Sequence, residues 1–280
     1  MDPYRNGSAT LNAAWVVYGT PAEVSPDDPA ESYHEASTLY ATQLARQLPG
    51  IALLESNAQL QLTASRSTKR HPHVPAIALP PCALPDVPLG DVLTRRRTRP
   101  HFGTAPLSFE QLALLLRAAY GVTGGAKLPG GSDQSFRSAP SAGALYPLEF
   151  YSFVFACAGL SAGIYHYDPL RDVLERLAEG DRRAAFARTL PMRELGDRCA
   201  AALVVSAMFW RTRFKYGQRG YRFALLEAGH AAQNALLAAE ALDLASVPVG
   251  GFFDRQLSEL LDIDGVNEAP LYVLSIGTRP

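Results

Sequence analysis

The amino-acid sequence predicts an α+β fold, in which strands and helices mix without a regular strand–helix–strand rhythm. Three observations favour this class. Apolar residues make up 48% of the 280 residues and charged residues 19%, as in chains with a large buried core. The apolar runs Phe150–Ala156 and Cys199–Met208 predict buried strands. The Ala/Leu-rich run Arg222–Leu244 predicts a long helix.

The first ninety residues are predicted to be an N-terminal extension. Within it, Glu31–Leu48 is typical of a helix that ends at Pro49-Gly50, and Ile51–Leu62 is predicted as a strand or hairpin piece. The segment His71–Gly90 contains six prolines and predicts an extended linker. We therefore expect two parts, an extension with a Pro-rich linker at 1–90 and a second domain at 91–280.

The second domain begins with helical segments. A short helix from Asp91 is expected to end in a basic loop. The pair Ser108 and Gln111 forms a capping box, so the next helix begins at Ser108, and Gly121 ends it. A Gly-rich loop is expected at 124–135.

Strands and one more helix complete the predicted order. The segments Gly163–Tyr167 and Val173–Leu177 are typical of a hairpin. Asp254 is expected to cap a helix that runs to about Leu261, and Leu271–Ile276 is predicted as the last strand.

Charge and cysteine content exclude several classes of protein. The net charge is −1, from 26 basic and 27 acidic residues, which disfavours nucleic-acid binding. The three cysteines include no CxxC pair, so neither a disulfide framework nor a zinc site is expected. No signal peptide is visible in the first ten residues and no run is typical of a membrane helix. We expect a cytoplasmic protein that binds neither nucleic acid nor membrane.

An arginine run is the first candidate binding motif. Arg95–Arg99 places four arginines around Thr98. Guanidinium groups form bidentate, charge-assisted hydrogen bonds with phosphate oxygens, so the run fits an anion site. A solvated surface run is the alternative, and composition alone favours it.

Two glycine-containing loops are the next candidates. In Ser138–Pro147, small residues that include Ser141 and Gly143 allow a ligand to approach the backbone closely. In Val247–Phe253, a proline and two glycines form a stiff bend that can present a backbone N–H to a ligand ring. Ordinary loops are the alternative for both.

Lys215 and Tyr216 form a candidate acid–base pair. A lysine whose pKa is lowered by burial can accept a proton near neutral pH, and a neighbouring tyrosine can donate a hydrogen bond. Only three lysines occur in the chain, Lys69, Lys127 and Lys215. A surface lysine on a basic loop is the alternative.

Polar residues on the long helix are interpreted as structural. Glu227, His230 and Asn234 share one face, and a hydrogen-bonded network at a helix interface explains them. The two Glu-x-x-His motifs, at Glu31 and Glu227, also fit a di-iron bundle, but the predicted strands argue against that all-helical fold. No metal site is expected.

These motifs, in this order, resemble the FMN-dependent nitroreductase fold, in its SagB-type peptide dehydrogenase branch. The resemblance extends from about Asp91 to the C-terminus. The segments that carry it are Arg96-Arg97-Thr98 with Phe102, Pro140–Pro147, Gly163–Asp168, Lys215–Gly217, Glu227–His230 with Gln233-Asn234, and Pro248–Phe252. The resemblance implies a central, mostly antiparallel sheet flanked by helices, a homodimer, and FMN at its interface.

The resemblance also implies roles for individual residues. Lys215 would act as the base and Tyr216 would hydrogen-bond the substrate ring or relay the proton. The residues implied in FMN binding are Arg96, Arg97, Thr98, Arg99, Pro140, Ser141, Gly143, Leu145, Pro248, Val249, Gly250, Gly251 and Arg279. Arg96, Arg97 and Thr98 would hold the phosphate and ribityl region. Arg99 would contact the pyrimidine edge of the flavin, and Arg279 is a further phosphate candidate by its position. The loop from Pro140 would contact the flavin from the partner subunit, and Gly250 would place its N–H near flavin N5.

The implied activity is oxidation of thiazolines and oxazolines in peptides to thiazoles and oxazoles, next to a cyclodehydratase partner that makes the azoline. Two other functions fit the same sequence. One is a general NAD(P)H-dependent nitroreductase or quinone reductase, which would not need Lys215-Tyr216. The other is a catalytically silent scaffold subunit of a peptide-modifying complex.

Overall fold

A computed structural model describes residues 28–65, 68–127 and 133–280. The segment on which the absence of a signal peptide was judged lies outside the described residues. The chain divides into two compact units, one ending at Leu44 and the other comprising Ala45–Pro280. No helix within the described ranges combines the length and the apolarity needed to cross a bilayer.

The first unit contains a helix, α1 (Pro29–Ala36), and a 3-10 turn, Ala41–Gln43. The single helix predicted over Glu31–Leu48 is therefore wrong. The hydroxyl groups of Ser37 and Thr38 donate to the carbonyls of Tyr33 and His34, at 2.6 and 3.0 Å, and so satisfy the carbonyls at the end of α1. Such local side-chain bonds compete with helix continuation.

The second unit alternates helices and strands. Its helices are α2 (Leu44–Gln47, whose first residue belongs to the first unit), α3 (Pro49–Ser56), α4 (Ala58–Ser65), α5 (Leu89–Arg95), α6 (Phe109–Tyr120), α7 (Arg183–Ala187), α8 (Arg193–Arg198), α9 (Trp210–Tyr216), α10 (Arg219–Ala241) and α11 (Asp254–Leu261). Its strands are β1 (Ala76–Ala78), β2 (Leu107–Ser108), β3 (Val122–Lys127), β4 (Asp133–Arg137), β5 (Leu148–Val154), β6 (Cys157–Ala158), β7 (Gly163–Asp168), β8 (Val173–Glu179), β9 (Ala201–Met208), β10 (Leu244–Val249) and β11 (Glu268–Thr278).

A seven-stranded antiparallel sheet forms the centre of this unit. Its strand order is β1-β8-β7-β5-β9-β11-β10. Strand β5 lies in the middle, and every one of its residues is buried. In its register with β9, Phe150 lies opposite Val205 and Phe153 opposite Ala202. Burial on both faces explains why β5 is almost continuously apolar instead of alternating.

Helices cover both faces of the sheet. On one face, Phe150 and Tyr165 belong to the core that includes residues of α6 and α10. On the other face, Tyr151 and Phe153 belong to the core that includes Phe186 of α7 and residues of α8 and α11. Alternate residues of β5 therefore belong to two different cores, as the period of a strand requires. The expected α+β architecture, a mostly antiparallel sheet flanked by helices, is confirmed.

Local sequence signals placed several elements correctly. The hydroxyl of Ser108 accepts from Gln111 N and the Gln111 side chain accepts from Ser108 N, so the predicted capping box begins α6. The predicted hairpin corresponds to β7 and β8, and α11 ends at Leu261 as expected. Asp254 is the first residue of α11 rather than its cap, because Phe253 occupies the N-cap position.

Two other predictions are wrong. Ile51–Leu62, predicted as a strand or hairpin, lies in helices α3 and α4, and Pro49 begins α3 rather than ending a helix. Proline is favoured in the first turn because its missing N–H has no helical partner there. The described part of the predicted Gly-rich loop pairs as the hairpin β3–β4, with Gly125 opposite Ser135.

Candidate active site

Lys215 and Tyr216 lie in the last turn of α9, directly after β9. Both side chains are half-buried. The Lys215 ammonium lies 5.1 Å from the centre of the Tyr216 ring, and the Tyr216 ring packs edge-on against Phe223 of α10. Gly217 ends the helix with φ of 55°, a left-handed conformation that favours glycine. The turn therefore presents an amine and a phenol side by side.

The loop of Gly143 contacts this pair within the same chain. A Cβ atom on Gly143 would lie 2.5 Å from the Tyr216 hydroxyl oxygen and 2.9 Å from Lys215 Nζ. Gly143 also has φ of +62°, so a side chain is disfavoured there on two counts. Two distant motifs of the sequence, the loop and the Lys-Tyr pair, thus meet at one point.

Two hydrogen bonds hold this loop in a strained backbone conformation. Ala144 and Tyr146 both have positive φ, at 52° and 46°. The Ser141 hydroxyl accepts a hydrogen bond from Tyr146 N at 2.9 Å, and the Tyr146 hydroxyl accepts one from Arg137 N at 3.1 Å. Left-handed backbone at non-glycine residues costs about 1–2 kcal/mol each and persists only where the surroundings enforce it. Ser141 therefore has a structural task in the free protein.

A buried acid lies behind the loop. The Tyr120 hydroxyl donates to Glu227, and the Arg137 guanidinium packs between the rings of Tyr120 and Tyr146, 4.4 and 4.6 Å from their centres. Burial raises the pKa of Glu227 to about 7, and hydrogen bonds and the Arg137 charge only partly oppose this. The interpretation of Glu227 as part of a structural network agrees with these contacts. His230, one turn further on, is exposed.

Arg211 anchors the Lys-Tyr helix to the sheet. Its guanidinium forms an ion pair with the buried Glu149 of β5 at 2.5 Å and donates to the Tyr146 carbonyl at 3.3 Å. Burial alone would raise the pKa of Glu149, but the Arg211 charge and a hydrogen bond with His166 lower it to about 2. One side chain thus joins α9, the strained loop and the central strand.

The ion pair continues into a buried charge network. His166 lies between two carboxylates, with Nε2 2.8 Å from Glu149 and Nδ1 3.0 Å from Glu175. Burial lowers the pKa of His166, but the bonds to these carboxylates outweigh that effect and raise it to about 9. Within the described ranges, His71, His166 and Glu175 offer ligand atoms within 4.8 Å of one another. Both ring nitrogens of His166 already have carboxylate partners, and the absence of a metal stays our prediction.

A second group of predicted residues gathers around Glu240, near the end of α10. This carboxylate is buried and lies 3.3 Å from Arg99, 3.0 Å from Arg279 and 4.0 Å from Arg95. Arg279 also pairs with Asp243. Three guanidinium groups therefore share two carboxylates, and Arg96 and Arg97, which follow Arg95 in the chain, add further positive charge nearby. Arg97 and Thr98 are exposed.

The bend after β10 presents its glycines outward. Pro248 and Val249 end the strand, whereas Gly250 and Gly251 are exposed. A Cβ atom on Gly251 would meet no atom of the described chain within 4 Å. Arg99 N donates to the Ser246 carbonyl at 3.0 Å, so the arginine segment runs beside β10.

The predicted residues therefore form two groups in one chain. The structure joins Gly143 with Lys215 and Tyr216, and it joins Arg99 with Arg279. Pro140 is exposed, while the Leu145 side chain is buried, so only its backbone could reach a ligand. Sequence reasoning missed Glu240, Arg211 and Glu149. Glu240 is the one acidic residue in the otherwise apolar run 235–242, and this position could have indicated a buried carboxylate that needs cationic partners.

The profile of the Nitroreductase family matches residues 92–278. The chain therefore belongs to the nitroreductase family. It is 35% identical over 199 residues to MJ1384 of Methanocaldococcus jannaschii, a protein named as a nitroreductase, covering 70% of this chain and 95% of that protein.

Two further similarities involve peptide processing. The chain is 36% identical over 152 residues to the microcin B17-processing protein McbC of Escherichia coli, covering 50% of this chain and 54% of McbC. It also matches a chain in the structure of the E. coli microcin synthetase McbBCD complex with truncated pro-MccB17 bound. That match has a TM-score of 0.54 and 25% identity, and covers 97% of this chain and 92% of the other.

Glu227 makes stability fall with rising pH. Its pKa is about 7 in the folded protein against 4.5 in the unfolded chain, so the folded state binds more protons between these values. Stability therefore declines from pH 4.5 to 7, by about 3 kcal/mol for this group. Glu227→Gln should remove the decline and gain stability relative to the native chain as pH rises. Urea unfolding at pH 5 and pH 8 measures this. An unchanged difference between the two proteins would contradict the assignment.

Proposed function

We propose that this protein is an FMN-dependent dehydrogenase of the SagB type that oxidises thiazolines and oxazolines in peptides to thiazoles and oxazoles. The observation that carries the proposal is the convergence of Lys215 Nζ and the Tyr216 hydroxyl on Gly143. A reductase that only passes hydride needs no base at this point. The similarity to McbC, named for microcin B17 processing, supports a peptide substrate.

The residues present fit FMN. The cationic surface of Arg96, Arg97, Arg99 and Arg279, with the Thr98 hydroxyl, suits a phosphate and its polar chain. Pro248–Gly251 leaves open backbone, where a Cβ atom on Gly250 would approach only Tyr272, at 3.9 Å. Such a bend can present an N–H, that of Gly250, to a flat ring. When bound, FMN supplies the acceptor for a hydride.

Lys215 and Tyr216 then have distinct tasks. Oxidation of an azoline breaks two C–H bonds on neighbouring ring carbons and forms a C=C bond. One hydrogen leaves as a hydride with its electron pair, for which bound FMN would supply the acceptor. The other leaves as a proton, for which Lys215 Nζ is the acceptor. Tyr216 hydrogen-bonds the ring heteroatom or relays the proton. Dioxygen is the simplest final oxidant.

We also propose that the chain forms a homodimer. Leu225 and Leu226 of α10 are exposed, and a Cβ atom on Gly229 would meet no described atom within 4 Å. Burying such a face against its two-fold copy is the commonest solution for an oligomer. The loop containing Pro140, Ser141, Gly143 and Leu145 would then contact the flavin of the partner subunit.

The remaining expectations are parts of the same proposal. A cyclodehydratase supplies the azoline. The similarity to a chain of the McbBCD complex, which has a pro-peptide bound, supports a partner of this kind. Residues 91–280 form the FMN-binding domain, and 1–90 the extension, in keeping with the family match that begins at residue 92. The three cysteines are free thiols, which suits the reducing cytoplasm.

A general NAD(P)H-dependent nitroreductase or quinone reductase is the second candidate. The similarity to MJ1384 over most of that protein favours it. It predicts rapid NAD(P)H oxidation with nitroaromatic acceptors and no effect of Lys215. The dehydrogenase proposal predicts slow turnover with these acceptors.

Removal of two arginines tests the cofactor site. The purified protein should carry about one FMN per chain. Arg96→Ala with Arg97→Ala should weaken the Kd for FMN about tenfold or more, because charge-assisted hydrogen bonds contribute about 1.5–3 kcal/mol each. Flavin fluorescence titration measures it. The matched control removes the exposed Arg188 and Arg193 together. Equal affinity in both double variants would contradict the site.

Lys215→Ala tests the base. The variant should retain FMN and lose azoline oxidation about 100-fold or more, which is the usual contribution of a general base. Mass spectrometry of the product peptide measures the loss of two hydrogens per ring. Lys127→Ala is the control, because Lys127 is exposed and pairs only with Asp133 among the described residues. Azole formation at the native rate by Lys215→Ala would refute the role.

A further inference from the structure

The helix that carries Lys215 and Tyr216 packs against the N-terminal extension through a glycine. Gly50, in the first turn of α3, is buried. A Cβ atom on it would lie 2.0 Å from the Phe214 carbonyl oxygen and 2.6 Å from Lys215 Cα. These neighbours are backbone atoms, which cannot rotate away as a side chain can. No other residue type fits here unless α3 and α9 separate.

A second close contact lies three residues earlier in the extension. A Cβ atom on Gly217 would lie 2.9 Å from the Gln47 carbonyl oxygen. Residues 47–50 therefore touch the backbone on both sides of the Lys-Tyr pair, at Phe214–Lys215 and at Gly217. The side-chain atoms of the pair meet Gly143. Two glycines therefore flank the pair. Gly50 contacts its backbone, and Gly143 contacts its side chains.

Helix α9 needs such support. It has seven residues, and helices this short are marginal without tertiary packing. Arg211 fixes its first turn to the sheet, whereas residues 47–50 contact its last turn, where Lys215 and Tyr216 lie. The family match begins at residue 92, so this support comes from outside the matched segment.

We propose that residues 47–50 position Lys215 and Tyr216, and that Gly50 is the positioning residue. Because Gly50 has no side chain, the backbones of α3 and α9 can be in contact, and this contact fixes the position of Lys215 Nζ beside Gly143. The consequence for activity rests on the proposed function, in which Lys215 is the base. The packing itself does not depend on it.

Gly50→Ala tests the proposal on the FMN-loaded protein. We expect kcat for azoline oxidation to fall at least tenfold with KM changed less than about twofold, because small displacements of a reacting group are costly. FMN content should stay at the native level. Gly90→Ala is the matched control, since a Cβ atom on Gly90 meets no described atom within 4 Å. It should behave like the native protein.

An activity-independent readout uses the small number of lysines. Protein labelled with ¹³C-lysine gives three Cε signals, for Lys69, Lys127 and Lys215. Gly50→Ala should move the Lys215 signal, assigned with Lys215→Arg, and leave that of Lys127 in place. Should Gly50→Ala not fold, Leu54→Ala removes the buried side chain of the same helix and should move the same signal.

The outcomes are separable. An unmoved Lys215 signal overturns the proposal, whatever happens to kcat, because a purely structural loss would leave that signal in place. A moved signal with native kcat also overturns it. A moved signal in a protein whose native form does not oxidise azolines supports the positioning contact and refutes the proposed function.

Discussion

The ion pair between Arg211 and Glu149 is the interaction on which the candidate site depends. It joins the helix of Lys215 and Tyr216 to the central strand, and the same guanidinium holds the Tyr146 carbonyl. Both charges are largely removed from water, so each would be costly without the other. His166, whose pKa of about 9 keeps it cationic near neutral pH, shares Glu149 and extends the pairing to β7 and β8. Lys215 and Tyr216 are thus attached to a strand that is buried along its whole length.

Local signals in the sequence were enough for much of the fold. The capping box of Ser108 and Gln111 depends on residues three apart, and the antiparallel hairpin β7–β8 depends on neighbouring segments. The prediction of a strand or hairpin at Ile51–Leu62 was wrong because hydrophobic periodicity does not distinguish a helix from a strand in so short an apolar segment. The pairing of β3 and β4 was missed because glycine is depleted in strands, and only the backbone partner at 133–137 reveals it.

The sequence indicates which residues to consider for the candidate site, but it does not indicate how they are arranged. The sequence singled out Lys215, Tyr216 and Gly143, yet their contact depends on two separate segments that only the folded chain brings together. Glu240 forms ion pairs with both Arg99 and Arg279. The sequence of the Arg95–Arg99 run alone could not predict this shared partner. Gly50 lies more than 160 residues before Phe214 and Lys215, whose backbone it contacts. Spacing along the chain carries no information about such contacts, whereas backbone geometry does.

Together, the anchored helix, the strained loop and the cationic cluster support an oxidase that removes a proton and a hydride from one substrate. The most direct test is an anaerobic single turnover of the FMN-loaded protein with an azoline-containing peptide. The account predicts that the flavin absorbance bleaches and that one azole ring forms per flavin reduced, without NAD(P)H. Flavin that stays oxidised with the azoline, but bleaches with NAD(P)H and reduces a nitroaromatic rapidly, would contradict it.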